Sequence, residues 1–257
     1  MSLFRSKRLA LVAALLTAAM PTQAFAKAKN IVLVHGAWVD GSGWKAVYEA
    51  LTLKGFKVSI VQEPETSFAN DVTAARRVLD MQDGPTVLVG HSYGGSIITE
   101  VGIHPRVAAL VYVAAHAPDV GENESALGKQ TPSVLGKTPG AIEQTSDGFT
   151  YLKPEIFLKL FAPDLPRDQA EFGARSQVLA SADVFSTPLT AAAWRSRPSW
   201  GVVAGADQII NPDLERFYYK RANSRVTVVP GASHSVYASH PEHVARVIEE
   251  AANAVPD

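Results

Sequence analysis

At 257 residues the chain is long enough for one large α/β domain or two small ones. A formal charge of −1, with charged residues at 19% and the basic ones scattered, excludes an electrostatic footprint for nucleic acid or for an anionic membrane. The absence of cysteine excludes disulfides and a thioether lipid anchor, so an oxidising compartment would be harmless but unexploited.

The N-terminal segment reads as an address rather than as part of the fold. Arg5, Lys7 and Arg8 precede the apolar run from Leu9 to Leu16, and Pro21 and the small-x-small triplet Ala24-Phe25-Ala26 follow. This is the three-part pattern of a secretory signal peptide over residues 1–26, with cleavage expected after Ala26 and a periplasmic or secreted product. The apolar run is far shorter than the roughly 20 residues of a membrane-spanning helix, so no membrane segment is expected after cleavage. Residues 27–257 are then expected to form the folded domain.

In that domain, short apolar runs alternate with segments of helical period. Ile31–Val34 reads as a strand ending at Gly36. Ser42 opens a helix with Trp44, Val47, Tyr48 and Leu51 on one face, closed by Gly55. Val58–Val61 is a second strand, and Ser67 caps a helix carrying Phe68, Val72, Ala75 and Leu79. Thr86–Val89 is a third strand running into Gly90, and Ile97, Ile98 and Val101 mark the helix after it. Val107–Val113 is a fourth strand.

From about residue 118 to 197 the rhythm breaks. Gly121 to Gly148 is rich in Gly, Ser, Thr, Pro and Lys and reads as loop, with helices expected near Pro154–Phe161, Pro166–Ala180 and Pro188–Trp194. The alternation then resumes with a strand at Trp200–Ala204, a helix opened by Asn211-Pro212 with Leu214, Phe217 and Tyr218 on its apolar face, a strand at Val226–Val229 and a last helix from His240-Pro241. Continuous apolar strands separated by helices imply an α/β fold with a mostly parallel, doubly wound sheet covered on both faces. An insertion of about 80 residues is too long for an ordinary connection and reads as a helical lid after the fourth strand.

Parallel sheets carry their functional loops at the carboxyl ends of the strands. Three such ends here bear unusual residues: Ser92 after the third strand, Asp207 after the fifth and His234 after the sixth. Ser92 lies in Gly90-His91-Ser92-Tyr93-Gly94-Gly95, directly between an apolar strand and a helical pattern. A serine forced out of a sharp strand-to-helix turn crowds its neighbours, so the positions two before and two after it must lack side chains. The helix behind it adds a positive dipole end that favours a developing oxyanion.

A serine hydroxyl needs a base to become a nucleophile. Of seven histidines, His234 lies in the small-residue loop Pro230–Ser235, which can bring an imidazole to Ser92. His35 and His91 sit in tight strand-end motifs and are expected to brace loops, while His116 is expected as a substrate contact or a satisfied core residue. Asp207 is the expected orienting acid, with Asp119 after the fourth strand as the rival. The oxyanion would be bound by the N–H of Tyr93 and by that of Ala37 in the loop after the first strand, with Trp38 as the alternative donor. The absence of His-Glu-x-x-His or paired histidine spacing leaves no metal or cofactor expected. Trp38, Phe157, Phe161 and Trp194 are candidate substrate contacts, as is Phe185, although aromatics at helical spacing also suit a lid core.

The stretches VLVHGAWVDGSGW (32–44), LVGHSYGG (88–95), GADQIINP (205–212) and PGASHSVYASHPEHVARVI (230–248) resemble the α/β-hydrolase superfamily of the small serine esterase type. The likeness covers residues 27–257 apart from the insertion. It is closest to the group of plant methylesterases and hydroxynitrile lyases and their secreted bacterial homologues. That resemblance implies a Ser92, Asp207, His234 triad, Ala37 and Tyr93 as oxyanion donors, and hydrolysis of a small carboxylic ester, the one partner expected. The lyases of this group carry threonine where this chain has Gly36 and lysine where it has Ser235, which favours hydrolysis. Carbon–carbon lysis, cofactor-free perhydrolysis and low-turnover ligand binding are the alternatives on the same scaffold.

Overall fold

The computed structural model describes residues 27–255. The expected signal peptide, 1–26, lies outside them. Six strands form one all-parallel sheet in the order β2-β1-β3-β4-β8-β9: β1 Asn30–Val34, β2 Lys57–Ile60, β3 Thr86–Ser92, β4 Val107–Ala115, β8 Ser199–Ala204 and β9 Arg225–Val229. Three helices pack on one face: α2 Phe68–Asp80, α3 Gly94–Val101 and α7 Pro212–Arg221. α1 Lys45–Leu53, α8 Val236–Ser239 and α9 Pro241–Ala254 pack on the other.

The double covering follows from the strands. Along β1, Val32 and Val34 enter the core beneath α2 and α3, whereas Ile31 and Leu33 enter the core beneath α1 and α9. Alternating side chains point to opposite faces and both faces are apolar, so the sheet must be buried on each. Helix starts follow their caps: Ser67 Oγ accepts from the N–H of Asn70 at 3.2 Å, and Asn211 accepts from Asp213 N–H ahead of Pro212. One start differs from expectation. Asp40, not Ser42, accepts the first N–H and opens a single 3₁₀ turn, Gly41–Trp44, before α1 begins at Lys45.

From β1 the chain winds outward to β2, then crosses back to β3 on the other side. The loops after β1 and β3 therefore diverge, which opens a crevice beyond the carboxyl ends of these two strands.

The insertion between β4 and β8 is less helical than its composition suggests. After α4, Glu124–Gln130, it contains a three-stranded antiparallel sheet of β5 Ile142–Gln144, β6 Phe149–Leu152 and β7 Ala180–Ser181. The expected loop thus contributes both α4 and β5, and the expected third helix is a three-residue 3₁₀ turn, Ala193–Arg195. α5, Pro154–Ile156, runs into a π turn at Phe157–Phe161. α6 spans Arg167–Arg175 and stops short of Ala180 because Gln177 turns back to bridge both backbone groups of Leu152, at 2.9 and 2.8 Å. Strands of two to four residues carry too little alternation to be seen in sequence.

Candidate active site

Ser92 closes β3 with a φ of +53°, in the left-handed region that a β-carbon disfavours by about 1–3 kcal/mol. Its neighbours show what holds it there. A β-carbon on Gly90 would sit 2.5 Å from the Gly94 carbonyl oxygen, and one on Gly94 or Gly95 would collide with the carbonyl oxygen of His35 or His116. The three glycines let α3 start immediately under the serine and lie against the ends of β1 and β4. On the facing loop, a β-carbon on Gly36 would come within 2.7 Å of Ser92 Cβ.

The Oγ of Ser92 donates to Nε2 of His234 at 2.9 Å, and Nδ1–H of His234 donates to Oδ2 of Asp207 at 2.6 Å. Asp207 is held in turn by the N–H groups of Ile209 and Ile210, which donate to Oδ1 at 2.7 and 2.9 Å. His234 is fully buried and Ser92 is 8% exposed. The histidine loop is braced on two sides. His91 Nε2–H donates to the His234 carbonyl at 3.0 Å, and the Phe161 ring meets the imidazole edge-on at 4.7 Å. Burial, aided by the charges of His234 and His35, keeps His91 well below the ordinary histidine range, as an uncharged donor. The Phe161 carbonyl accepts from Ser233 Oγ, Ser235 Oγ and Ser235 N–H, at 3.2, 3.0 and 3.2 Å. Asp119, the rival acid, is engaged by Arg195 at 2.7 Å and by the N–H of Val120. Beside Asp207 lies Glu215, a neighbour the sequence reading missed. Its own burial and the charge of Asp207 hold its carboxyl well above the usual range.

The loop after β1 supplies the opposite wall. Trp38 N–H donates to Glu65 Oε2 at 3.1 Å, which removes it as the alternative oxyanion donor. Among the described residues, no protein group accepts the N–H of Ala37 or of Tyr93, and both residues line the cavity with Ser92. A buried polar network lies behind them. His35 pairs with Glu63 through Nε2 and lies 3.7 Å from Glu65; Asp71 accepts from Glu65 N–H at 2.8 Å and from the Tyr93 hydroxyl at 2.7 Å. Burial alone would lower the His35 pKa, but Glu63 and then Glu65 outweigh it and raise it to about 9. Burial raises Asp71 to about 6 against the hydrogen bonds from Tyr93 and Glu65, and raises Glu63 and Glu65 against the pull of His35. Trp38 and Glu65 both have positive φ, +64° and +52°, so the hydrogen bond joining them holds two strained residues together.

A cavity of about 550 Å³ opens over Ser92, lined by Ala37, Trp38, Tyr93, His116, Glu124 and Phe185 among others. The expected contacts Trp38 and His116 thus reach it. Phe157, Phe161 and Trp194 do not. Phe157 and Phe161 stack at 4.5 Å within the core of the insertion and face a separate cavity of about 530 Å³, with Phe172, Lys45 and Tyr237. Trp194 is half-buried against the core, donating to the Pro118 carbonyl at 3.0 Å with the Arg221 guanidinium over its ring. Helical spacing of aromatics marked core here, and Phe185 is the insertion aromatic that lines the Ser92 cavity. Glu63, Glu65, Asp71 and Glu124 were not singled out in the sequence, where they sit among other polar residues with no local pattern to mark them.

Comparison with known proteins agrees with this architecture. A family model described as alpha/beta hydrolase family matches residues 31–247. A carbendazim hydrolyzing esterase of a Nocardioides species is 35% identical over 114 residues, which is 38% of this chain and 46% of that relative, so the match spans under half of the relative's length. A pyrethroid hydrolase of Sphingobium wenxiniae is 26% identical over 249 residues, covering 88% of each chain. Among solved structures, a pyrethroid hydrolase superposes with a TM-score of 0.75 at 23% identity, over 88% of this chain and 98% of the other. At that identity the likeness speaks to the fold.

Proposed function

Because the chain belongs to the alpha/beta hydrolase family, we propose that it is a serine carboxylesterase acting through an acyl-enzyme on a small-molecule ester. The observation that carries this reading is the unbroken chain from Ser92 Oγ to His234 to Asp207, at 2.9 and 2.6 Å. In the first half-reaction Ser92 Oγ attacks the ester carbonyl carbon while His234 Nε2 takes its proton. Asp207 holds the imidazole in the accepting tautomer and stabilises the imidazolium. The negative oxygen of the tetrahedral intermediate is bound by the free N–H groups of Ala37 and Tyr93, each donor contributing about 3 kcal/mol. Collapse expels the alcohol, which leaves with the proton from His234. Water then repeats the sequence on the acyl-serine: His234 takes its proton, and the acid departs as Ser92 recovers its hydrogen.

Two residues favour hydrolysis over cyanohydrin cleavage. There is no room beside Ser92 for a side chain at position 36, and Ser235 spends its hydroxyl on the Phe161 carbonyl. The names of the relatives, a carbendazim hydrolyzing esterase and a pyrethroid hydrolase, point the same way. The reading is tested by a fluorophosphonate probe and by burst release from p-nitrophenyl acetate. Labelling of Ser92 with a burst is expected, and folded protein that shows neither overturns the reading. The charged and apolar pattern of residues 1–26 supports export. Protein recovered from periplasm or medium is then expected to begin at Lys27, and an intact N-terminus in the cytoplasmic fraction overturns that part.

A further inference from the structure

The Ser92 cavity is apolar along most of its wall, with Trp38, Leu135, Ile142, Phe185 and Ile210 among its residues. Among the described residues that line it, one is an acid, Glu124, at the first position of α4 and only 7% exposed. Its Oε1 accepts from Ser96 Oγ at 2.5 Å. Among the described residues its Oε2 accepts no hydrogen bond, and it stands 3.5 Å from Nε2 of His116, another residue of the cavity wall. The far side of that imidazole is occupied, since Nδ1 and the Tyr218 hydroxyl share a hydrogen bond at 3.2 Å.

Both groups are uncharged near neutral pH. Burial pushes the Glu124 carboxyl up to about 8 against the Ser96 bond, and burial with the nearby His234 pushes His116 down to about 3. A buried polar group left short of partners costs about 1–3 kcal/mol, and an apolar side chain at position 124 would avoid that penalty. The pair therefore makes sense as half of a recognition site that a ligand completes. Facing each other across 3.5 Å, the two atoms are too far apart for a good bond with one another, yet both can reach a third atom lying in the cavity.

We propose that Glu124 and His116 bind a hydroxyl group of the substrate, so that the preferred esters are hydroxyl-bearing. A hydroxyl donates one hydrogen bond and accepts others, which lets it serve both members of an acid–imidazole pair at once. A cationic substituent would pass Lys129, which lines the same cavity at its exposed rim. An anionic one would face the negative charge that develops over Ser92.

This inference rests on the esterase reading, and the test separates the two. Rates are compared for p-nitrophenyl 3-hydroxyphenylacetate against p-nitrophenyl phenylacetate, which probes the acyl side. They are also compared for 3-hydroxybenzyl acetate against benzyl acetate, which probes the alcohol side. In the wild type, kcat/KM for the hydroxylated ester is expected to exceed that of its partner by about tenfold or more in one of the two pairs. Glu124→Met should bring that ratio to near one, while Glu124→Gln, which keeps a donor and an acceptor, should retain most of it. If Glu124→Met does not fold, His116→Phe is read in the same way. A wild-type ratio near one in both pairs overturns the inference, as does a ratio that survives Glu124→Met. Failure to hydrolyse any of these esters, with no fluorophosphonate label on Ser92, overturns the esterase reading and this inference with it.

Discussion

At the end of β3, three glycines are pressed against backbone oxygens and a serine is held at positive φ. Across the cavity, the insertion presents side chains of mixed character, among them Glu124 of α4, Ile142 of β5, and Leu135 and Phe185 from short 3₁₀ turns. The first region is determined by contacts between main-chain atoms, which admit few substitutions. The second depends on side-chain volume and polarity, which tolerate many. One cavity thus has a wall that dictates chemistry and a wall free to choose the substrate, and changes on the two sides should differ in kind.

The largest effects belong to the first wall. Ser92→Ala should lower kcat by about 10⁴-fold or more and abolish fluorophosphonate labelling, with the unfolding midpoint preserved. Asp207→Asn should lower kcat by about 10⁴-fold by freeing the wrong imidazole tautomer. Asp119→Asn, which only loosens an Arg195 contact, should leave kcat within about twofold. Equal losses in the two aspartate variants would sink the assignment of the acid. Between the walls lies the loop after β1. Glu65→Gln should lower kcat about five- to tenfold with KM little changed, since it loosens the Trp38 N–H and with it the Ala37 donor. A parallel loss of affinity for a boronic acid, with no change for a ground-state ester analogue, would sharpen the distinction between donor placement and substrate contact. Thr150→Val removes the acceptor of the Trp38 indole N–H, which ties the small sheet to that loop at 3.1 Å. A stability loss of about 1 kcal/mol in urea unfolding is expected.

The smallest effect is electrostatic. The His35 pKa in the fold, about 9, stands above its ordinary 6.5. Its stabilisation is therefore complete below pH 6.5 and is lost as pH rises through 9. Burial raises Glu63 and Glu65 too, so they work in the same direction. Urea midpoints should fall between pH 7.5 and 9.5, and His35→Asn should flatten that decline. A midpoint that rises over this range in the wild type would contradict the pairing of His35 with Glu63.

What the sequence disclosed follows the same division. The elbow was legible because a serine between glycines, after an apolar strand, leaves its steric reason in adjacent positions. Asp207 and His234 were legible because parallel strands put their ends on one side of the sheet. Glu65 and Asp71 were not, for they act through residues 22 to 27 positions away, Tyr93 and Trp38, and nothing local marks them. The small sheet escaped because Gln177 and Thr150 stabilise it through hydrogen bonds rather than through any periodic apolar pattern. Phe157 and Phe161 misled for a related reason, since an aromatic ring looks the same in a sequence whether it faces a ligand or another ring.

The three donors converging on the Phe161 carbonyl have a practical meaning. They rivet the far end of the insertion to the loop that carries His234, so that end cannot swing away without dragging the imidazole off Ser92. A chimera that exchanges the whole segment from 118 to 197 for a relative's would need the donor's own 233–235 stretch transplanted with it to keep a working base.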